Sequence, residues 1–227
     1  LRVRRAIAHA IDREAIIRHL FRGRATLASS LFPPAHWLGL PLTDHPHDIR
    51  RARRLLADAG YTDQSPLQLE YKTSSDPFRL RVATILQAQL ARAGIRLELR
   101  SYDWGTFYGD IKTGNFQMYS LAWVGMKTPD SFRYLFHSRS VPPEGANRGR
   151  YHSDRADRLI EAGEAATDPA KGIEYHHQLQ QLLLRELPYV PLWYEDNVLA
   201  IRDEVTGYRL APDGNYDGLA YTHRTSR

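Results

Sequence analysis

Residues 67–100 read LQLEYKTSSDPFRLRVATILQAQLARAGIRLELR. At the start, Leu67, Leu69 and Tyr71 alternate with Gln68, Glu70 and Lys72, the period of a strand with one buried face. Pro77 opens a run in which Val82, Ile85, Leu86 and Leu90 recur at helical spacing, and Gly94 stops it. Ile95, Leu97 and Leu99 then alternate with Arg96, Glu98 and Arg100. Strand, helix and strand on such short connections predict a βαβ unit, two parallel strands joined by a right-handed crossover. The chain is therefore expected to be α/β, with helices packed on a sheet.

The flanking sequence extends the pattern. Upstream, residues 3–20 carry a helical stripe of Val3, Ala6, Ile7, Ala10 and Ile11, and Asp12 is placed to cap a second segment. Pro33, Pro34, Pro41 and Pro46 fix φ and remove backbone donors, so residues 26–47 are expected to be a long loop. Asp48 is a candidate N-cap for a helix ending at Ala59 before Gly60. Downstream, a helix is expected over about 103–112, a strand over 116–123 and a Pro- and Gly-rich loop over 125–149. Helices follow over 154–166 and 170–187, then an aromatic strand over 189–201. Residues 206–227 show little periodicity and form no core of their own.

Composition narrows the chemistry. The sequence has 227 residues, no cysteine and a net charge of +5. Thiolate metal sites, thiol nucleophiles and disulfides are excluded within these residues. No apolar run approaches the roughly 20 residues that span a bilayer. There is no G-x-S-x-G elbow, P-loop or G-x-G-x-x-G. Two alternative readings stand on charge and ligand clusters. Arg50, Arg51, Arg53 and Arg54 on one helix could serve a basic nucleic-acid-binding domain. The run Asp44-His45-Pro46-His47-Asp48 could hold a metal for a hydrolase, although Asp48 has a competing role as a cap and Pro46 splays the histidines. His176 and His177 are adjacent on a helix and point in different directions. Asp103 and Asp130 lack a partner fixed by sequence, and Asp103 is placed to cap the next helix.

Aromatic residues carry the remaining signal. Tyr102, Trp104, Tyr119, Trp123 and Tyr151 fall near predicted strand ends, and in open α/β sheets ligands sit beyond the carboxyl ends of the strands. Trp123 is expected to end its strand and to stack on a ligand, whereas Trp104 and Trp193 are expected in the core.

Five motifs, in order along the chain, resemble one family. They are residues 3–14 (VRRAIAHAIDRE), Asp48 to Tyr61 (D-x-x-x-A-x-x-L-L-x-x-A-G-Y), Leu86-Gln87-Ala88-Gln89-Leu90 with Gly94-Ile95, Asn147-Arg148 with Tyr151, and Leu187-Pro188-Tyr189-Val190-Pro191-Leu192. Together they are similar to the peptide/nickel class, family 5, of the extracytoplasmic solute-binding proteins of ABC importers. The resemblance implies the second lobe of a type II periplasmic-binding-protein-like fold, a mixed sheet flanked by helices. Residues 1–195 would form this lobe, and 196–227 would return to an N-terminal lobe not contained in this sequence. It also implies a capture module rather than an enzyme, with no cofactor, no metal and no nucleic acid. Its partners would be a peptide-like or related small solute and the membrane permease of an ABC importer. The location would be periplasmic or otherwise extracytoplasmic, with a signal peptide upstream. By the same resemblance, ligand contacts fall on Tyr119, Ser120, Trp123, Met126, Lys127, Asp130, Asn147 and Arg148. Met126 stands where the family's peptide binders place an ammonium-binding Asp, so this anchor is expected to be missing. Lys127 and Arg148 would suit an anionic or carboxylate-bearing ligand.

Overall fold

The computed structural model describes residues 1–42 and 45–225. It opens with α1 (Arg2–Ala10) and α2 (Arg13–His19), separated where the Asp12 side chain accepts from the Ala15 amide at 2.9 Å. A three-residue strand, β1 (Ala25–Leu27), precedes the long proline-bearing segment, whose described part is irregular except for local turns. Asp48 then caps α3 (Ile49–Ala57) by accepting from the Arg51 amide.

The βαβ unit follows as expected: β2 (Leu67–Ser74), α4 (Pro77–Arg92) and β3 (Ile95–Tyr102). Gly94 makes the sharp turn from helix to strand with φ +90°, a conformation that costs a side-chain-bearing residue strain. Next come α5 (Trp104–Thr113), β4 (Met118–Tyr119), α6 (Asp130–Phe136), α7 (Asp154–Ala165) and α8 (Pro169–Glu186). The chain closes with β5 (Trp193–Glu195), β6 (Val205–Thr206), a 3-10 turn (Asp217–Tyr221) and β7 (His223–Arg224).

The main sheet is parallel, in the order β3-β2-β4, with Leu67 beside Ile95 and Tyr71 beside Met118. Two short antiparallel pairs stand apart from it, β1 with β5 and β6 with β7. One apolar core joins α1, α3 and α4 to the sheet through Ala6, Ala52, Leu56, Leu86, Leu90, Leu67 and Ile95. A second joins α6, α7 and α8 through Phe132, Leu135, Ile160, Leu179 and Leu182, with Phe32 and Leu38 of the proline-rich segment wedged into it.

Three expectations change. The strand over 116–123 shrinks to two residues, because the chain leaves the sheet at Ser120, whose hydroxyl bonds Tyr71 at 2.6 Å. The 125–149 loop contains α6, whose stripe of Phe132, Leu135 and Phe136 faces the second core. The strand over 189–201 is reduced to Trp193–Glu195, preceded by Pro188 and Pro191, which lack ladder donors.

A fourth difference concerns β2. Lys72, expected on the open face, is only 5% exposed. Its Nζ lies 2.7 Å from Asp110 Oδ2 of α5. Helix α5 therefore covers the carboxyl-terminal half of that face, and this ion pair ties the helix to the sheet.

Candidate functional site

Parallel strands end together, so the loops after β2, β3 and β4 share one edge of the sheet. There a cleft of about 220 Å³ is lined by Thr73 and Ser74 of β2, Asp76 and Arg79 at the start of α4, Trp104 and Phe107 of α5, and Ser120 and Leu121 after β4. Both helices begin at this edge and both are capped by carboxylates: Asp76 accepts from the Arg79 amide at 2.9 Å, Asp103 from the Thr106 amide at 3.1 Å. The hydrogen bond from the Thr106 hydroxyl, followed by that from its amide, holds the Asp103 carboxyl below the usual carboxylate range. Asp103 is thus a cap, as its position predicts. Arg79 reaches Glu195 of β5 at 3.2 Å, joining the cleft to the strand that leads into the C-terminal segment.

Trp104 corrects an expectation: it is 58% exposed at the cleft rather than buried in the core. Trp193, by contrast, packs partly buried against the first core. From Trp104 a stacked row leads across the site. Its ring lies 5.4 Å from Tyr108, nearly parallel at 9°. The Arg148 guanidinium lies 5.2 Å from the Tyr108 ring, donates to the Tyr108 hydroxyl at 3.1 Å, and lies 4.7 Å from the Trp123 ring. Cation–π contacts of this kind contribute about 0.5–2 kcal/mol each, more when desolvated. Nearby, the Tyr119 and Tyr189 hydroxyls meet at 3.2 Å. Burial, with the neighbouring Tyr119, pushes the Tyr189 phenol up, so it stays protonated.

The row is held in place from below. Burial works against the Lys72 ammonium, but the hydrogen bond and charge of Asp110, with Glu70 and Tyr102 adding, leave its pKa raised. Asp110 is correspondingly lowered, chiefly by Lys72 and then by Asn115, whose amide donates to it at 2.9 Å.

The residues expected from sequence are brought together unevenly. Ser120 lines the cleft, and Tyr119 and Trp123 belong to the aromatic cluster beside it. Trp123 does not end a strand, since β4 stops at Tyr119. Met126 packs partly buried against the second core, an apolar contact that suits a thioether. Lys127 is engaged by Asp217 and, at 3.9 Å, by Asp213. Asp130 opens α6 and accepts from the Thr128 hydroxyl. Asn147 is buried and spends its side chain within its own loop: it donates to the His137 and Tyr151 carbonyls and accepts from the Tyr151 amide. Its geometry is that of a loop brace.

The alternative clusters disperse. Arg50, Arg51, Arg53 and Arg54 lie exposed on α3, but Arg53 donates twice to the Arg92 carbonyl at the end of α4, a structural use of its fork. His45 is buried with its ring 5.2 Å from that of His9, whereas His47 lies near the surface 3.5 Å from Asp12. Asp44 lies outside the described residues. Among the described residues no group of three His, Cys, Asp or Glu is close enough to hold a metal. No described helix is long and apolar enough to cross a membrane.

Sequence reasoning missed Thr73, Ser74, Arg79, Trp104 and Tyr108. The signal was available for the first two, because the rule that points to strand carboxyl ends applies to β2 as well as to β4.

Residues 1–142 match the family of bacterial extracellular solute-binding proteins, family 5 Middle. A probable di/tripeptide-binding protein 5 of Pseudomonas aeruginosa (strain UCBPP-PA14) is 31% identical over 218 residues, covering 95% of this chain and 41% of that protein. A glutathione-binding protein of Salmonella paratyphi A is 27% identical over 222 residues, 95% of this chain and 43% of that one. The chain thus spans less than half the length of these relatives. Among solved structures, a periplasmic binding protein from Helicobacter pylori in complex with the peptide STSA superposes with TM-score 0.86 at 26% identity, over 98% of this chain and 44% of its own. An oligopeptide-binding protein from Bacillus subtilis with a nonapeptide gives 0.89 at 22% identity, over 99% and 47%. The fold is accordingly that of type II periplasmic-binding-protein-like peptide binders. With the match covering residues 1–142 of 227, the chain belongs to family 5 of the bacterial extracellular solute-binding proteins.

Proposed function

We propose that the protein carrying this chain captures a small peptide-like solute outside the cytoplasm and hands it to the membrane permease of an ABC importer. Residues 1–195 supply one lobe of a clamp. Residues 196–227 return to a first lobe formed by the remainder of the protein, and the solute is held between the two. The observation that carries this reading is the cleft at the shared carboxyl edge of the parallel strands, with an exposed indole, Trp104, beside the hydroxyls of Ser74 and Ser120. An indole excludes water from one face of a solute, while hydroxyls and main-chain groups fix its orientation. The similarity to di/tripeptide- and glutathione-binding proteins supports the solute class. The role is binding, without chemistry on the solute.

Thermal unfolding of the longer protein against a panel of dipeptides, tripeptides and glutathione tests this. A ligand at 100 times its Kd stabilises the folded state by about 2.7 kcal/mol. At least one member is expected to raise Tm, and Trp123→Ala to diminish that rise. A panel without effect would contradict the proposal.

A further inference from the structure

Three Lys or Arg side chains are buried among the described residues: Arg13, Lys72 and Arg148. Arg13 donates to the carbonyls of Ala28, Pro191 and His45. Lys72 is neutralised by Asp110 at 2.7 Å. Arg148, 6% exposed, has no carboxylate within ion-pair distance among the described residues, and its one side-chain hydrogen bond goes to the Tyr108 hydroxyl. A buried cation without a counter-charge is costly, and the two flanking aromatic faces offset only part of that cost.

The carboxylates near the Trp123 loop are already engaged. Asp213 and Asp217 face Lys127, and Asp130 is bonded to Thr128. Met126 adds only an apolar thioether. The polar group that does contact Arg148 suits an anion: the Tyr108 hydroxyl accepts from the guanidinium at 3.1 Å and can donate its own proton.

We infer that the Trp123–Arg148–Tyr108 cluster is a subsite for an anionic group of the solute, a carboxylate in the first instance, and that it disfavours an ammonium. The guanidinium lies 5.2 Å from the Tyr108 ring and 4.7 Å from the Trp123 ring. Apart from the bond to the Tyr108 hydroxyl its N–H groups make no hydrogen bond among the described residues, so an N–H edge remains to meet the anion. That edge matches a carboxylate in two parallel hydrogen bonds. This rests on the binding role proposed above and assigns the charge of the group taken at one place in that site.

The test uses matched pairs of small peptides that differ in one charge: free acid against C-terminal amide, and N-succinyl against N-acetyl. Calorimetric titration is run on the longer protein as wild type, Arg148→Gln and Arg148→Lys. In wild type, the anionic member of at least one pair is expected to bind tenfold or more tightly. Arg148→Gln should erase that preference, the anionic member losing at least tenfold more affinity than its neutral partner, and Arg148→Lys should keep part of it. If wild type binds these peptides but favours no anionic member, or if the preference survives Arg148→Gln, the inference is overturned and the binding role stands. If Arg148→Gln does not fold, the wild-type pairs and Arg148→Lys still decide, since a lysine that leaves the preference at full strength also overturns it. A wild-type protein that binds none of the peptides overturns the binding role, and this inference with it.

Discussion

At the scale of single residues, the site depends on charges that do not touch a solute. Lys72 and Asp110 fix α5, and with it Trp104 and Tyr108, against β2. Removing one partner of a buried pair leaves the other uncompensated, which is worse than removing both. Lys72→Met is therefore expected to lower the denaturation midpoint at neutral pH. The carboxyl of Asp110 is depressed, so the pair's contribution is present above the ordinary carboxylate pKa of about 3.9 and is lost as pH falls through the lowered value. The gap between wild type and Lys72→Met should accordingly narrow below about pH 4; a gap that persists there would argue against the pair. His176 responds in another range. It stacks on Phe132 at 5.5 Å, and neither ring nitrogen makes a hydrogen bond among the described residues. Burial pushes its pKa down, the Gly172 carbonyl and the Glu164 charge pulling partly back and His177 adding slightly to the drop. The unfolded chain takes up a proton near pH 6.5 while the folded state still resists, so stability is expected to fall as pH drops below about 6.5. Unfolding free energy measured from pH 8 to 5 should decline less steeply in His176→Leu. The capping roles of Asp12, Asp48 and Asp103 were readable from sequence, because a cap needs only the right residue at a helix start. The burial of Lys72 was not, since its position in the alternating pattern is solvent-facing until α5 is folded over it.

At the scale of elements, α7 and α8 pack closely where Gly163 meets His176. A Cβ at Gly163 would lie 2.7 Å from His176 Nε2 and 2.9 Å from its Cε1. Alanine would gain up to about 1 kcal/mol in helix propensity, but overpacking a filled interface costs about 1–3 kcal/mol. Gly163→Ala is expected to be destabilising on balance by roughly 1 kcal/mol, read from chemical denaturation, whereas a stabilised variant would show that the helices can part without cost. The βαβ unit was legible because strand and helix periods sit side by side within 67–100. The shortness of β4 and β5 was not, because apolar and aromatic residues there alternate like strands but pack against the helical core and the site instead. Helix α6 escaped notice because prolines at 129, 142 and 143 frame its seven residues and made the whole stretch read as loop.

At the scale of the molecule, apolar side chains are distributed unevenly. Both principal cores are drawn from residues 1–195, which still expose Trp104 at 58% and Val124 at 69%, while the C-terminal segment contributes to neither core and exposes Val198 at 71% and Tyr216 at 77%. That segment meets the site loop through the Gly125 amide, bonded to the Asp213 carbonyl at 3.1 Å, and through Lys127. Its composition suits the proposed return to a first lobe, which would cover those side chains and supply the facing wall of the cleft. The candidate site was half legible: strand-end aromatics and Ser120 follow from topology, but Trp104 and Arg79 depend on how α4 and α5 start. The account stands most directly on the solute lying in that cleft. Trp104→Ala would remove the indole that lines it, a side chain 58% exposed and outside either core. Titration of the longer protein with its tightest peptide should show affinity reduced tenfold or more, with the unliganded Tm little changed. An affinity equal to wild type would place the solute elsewhere and contradict the account.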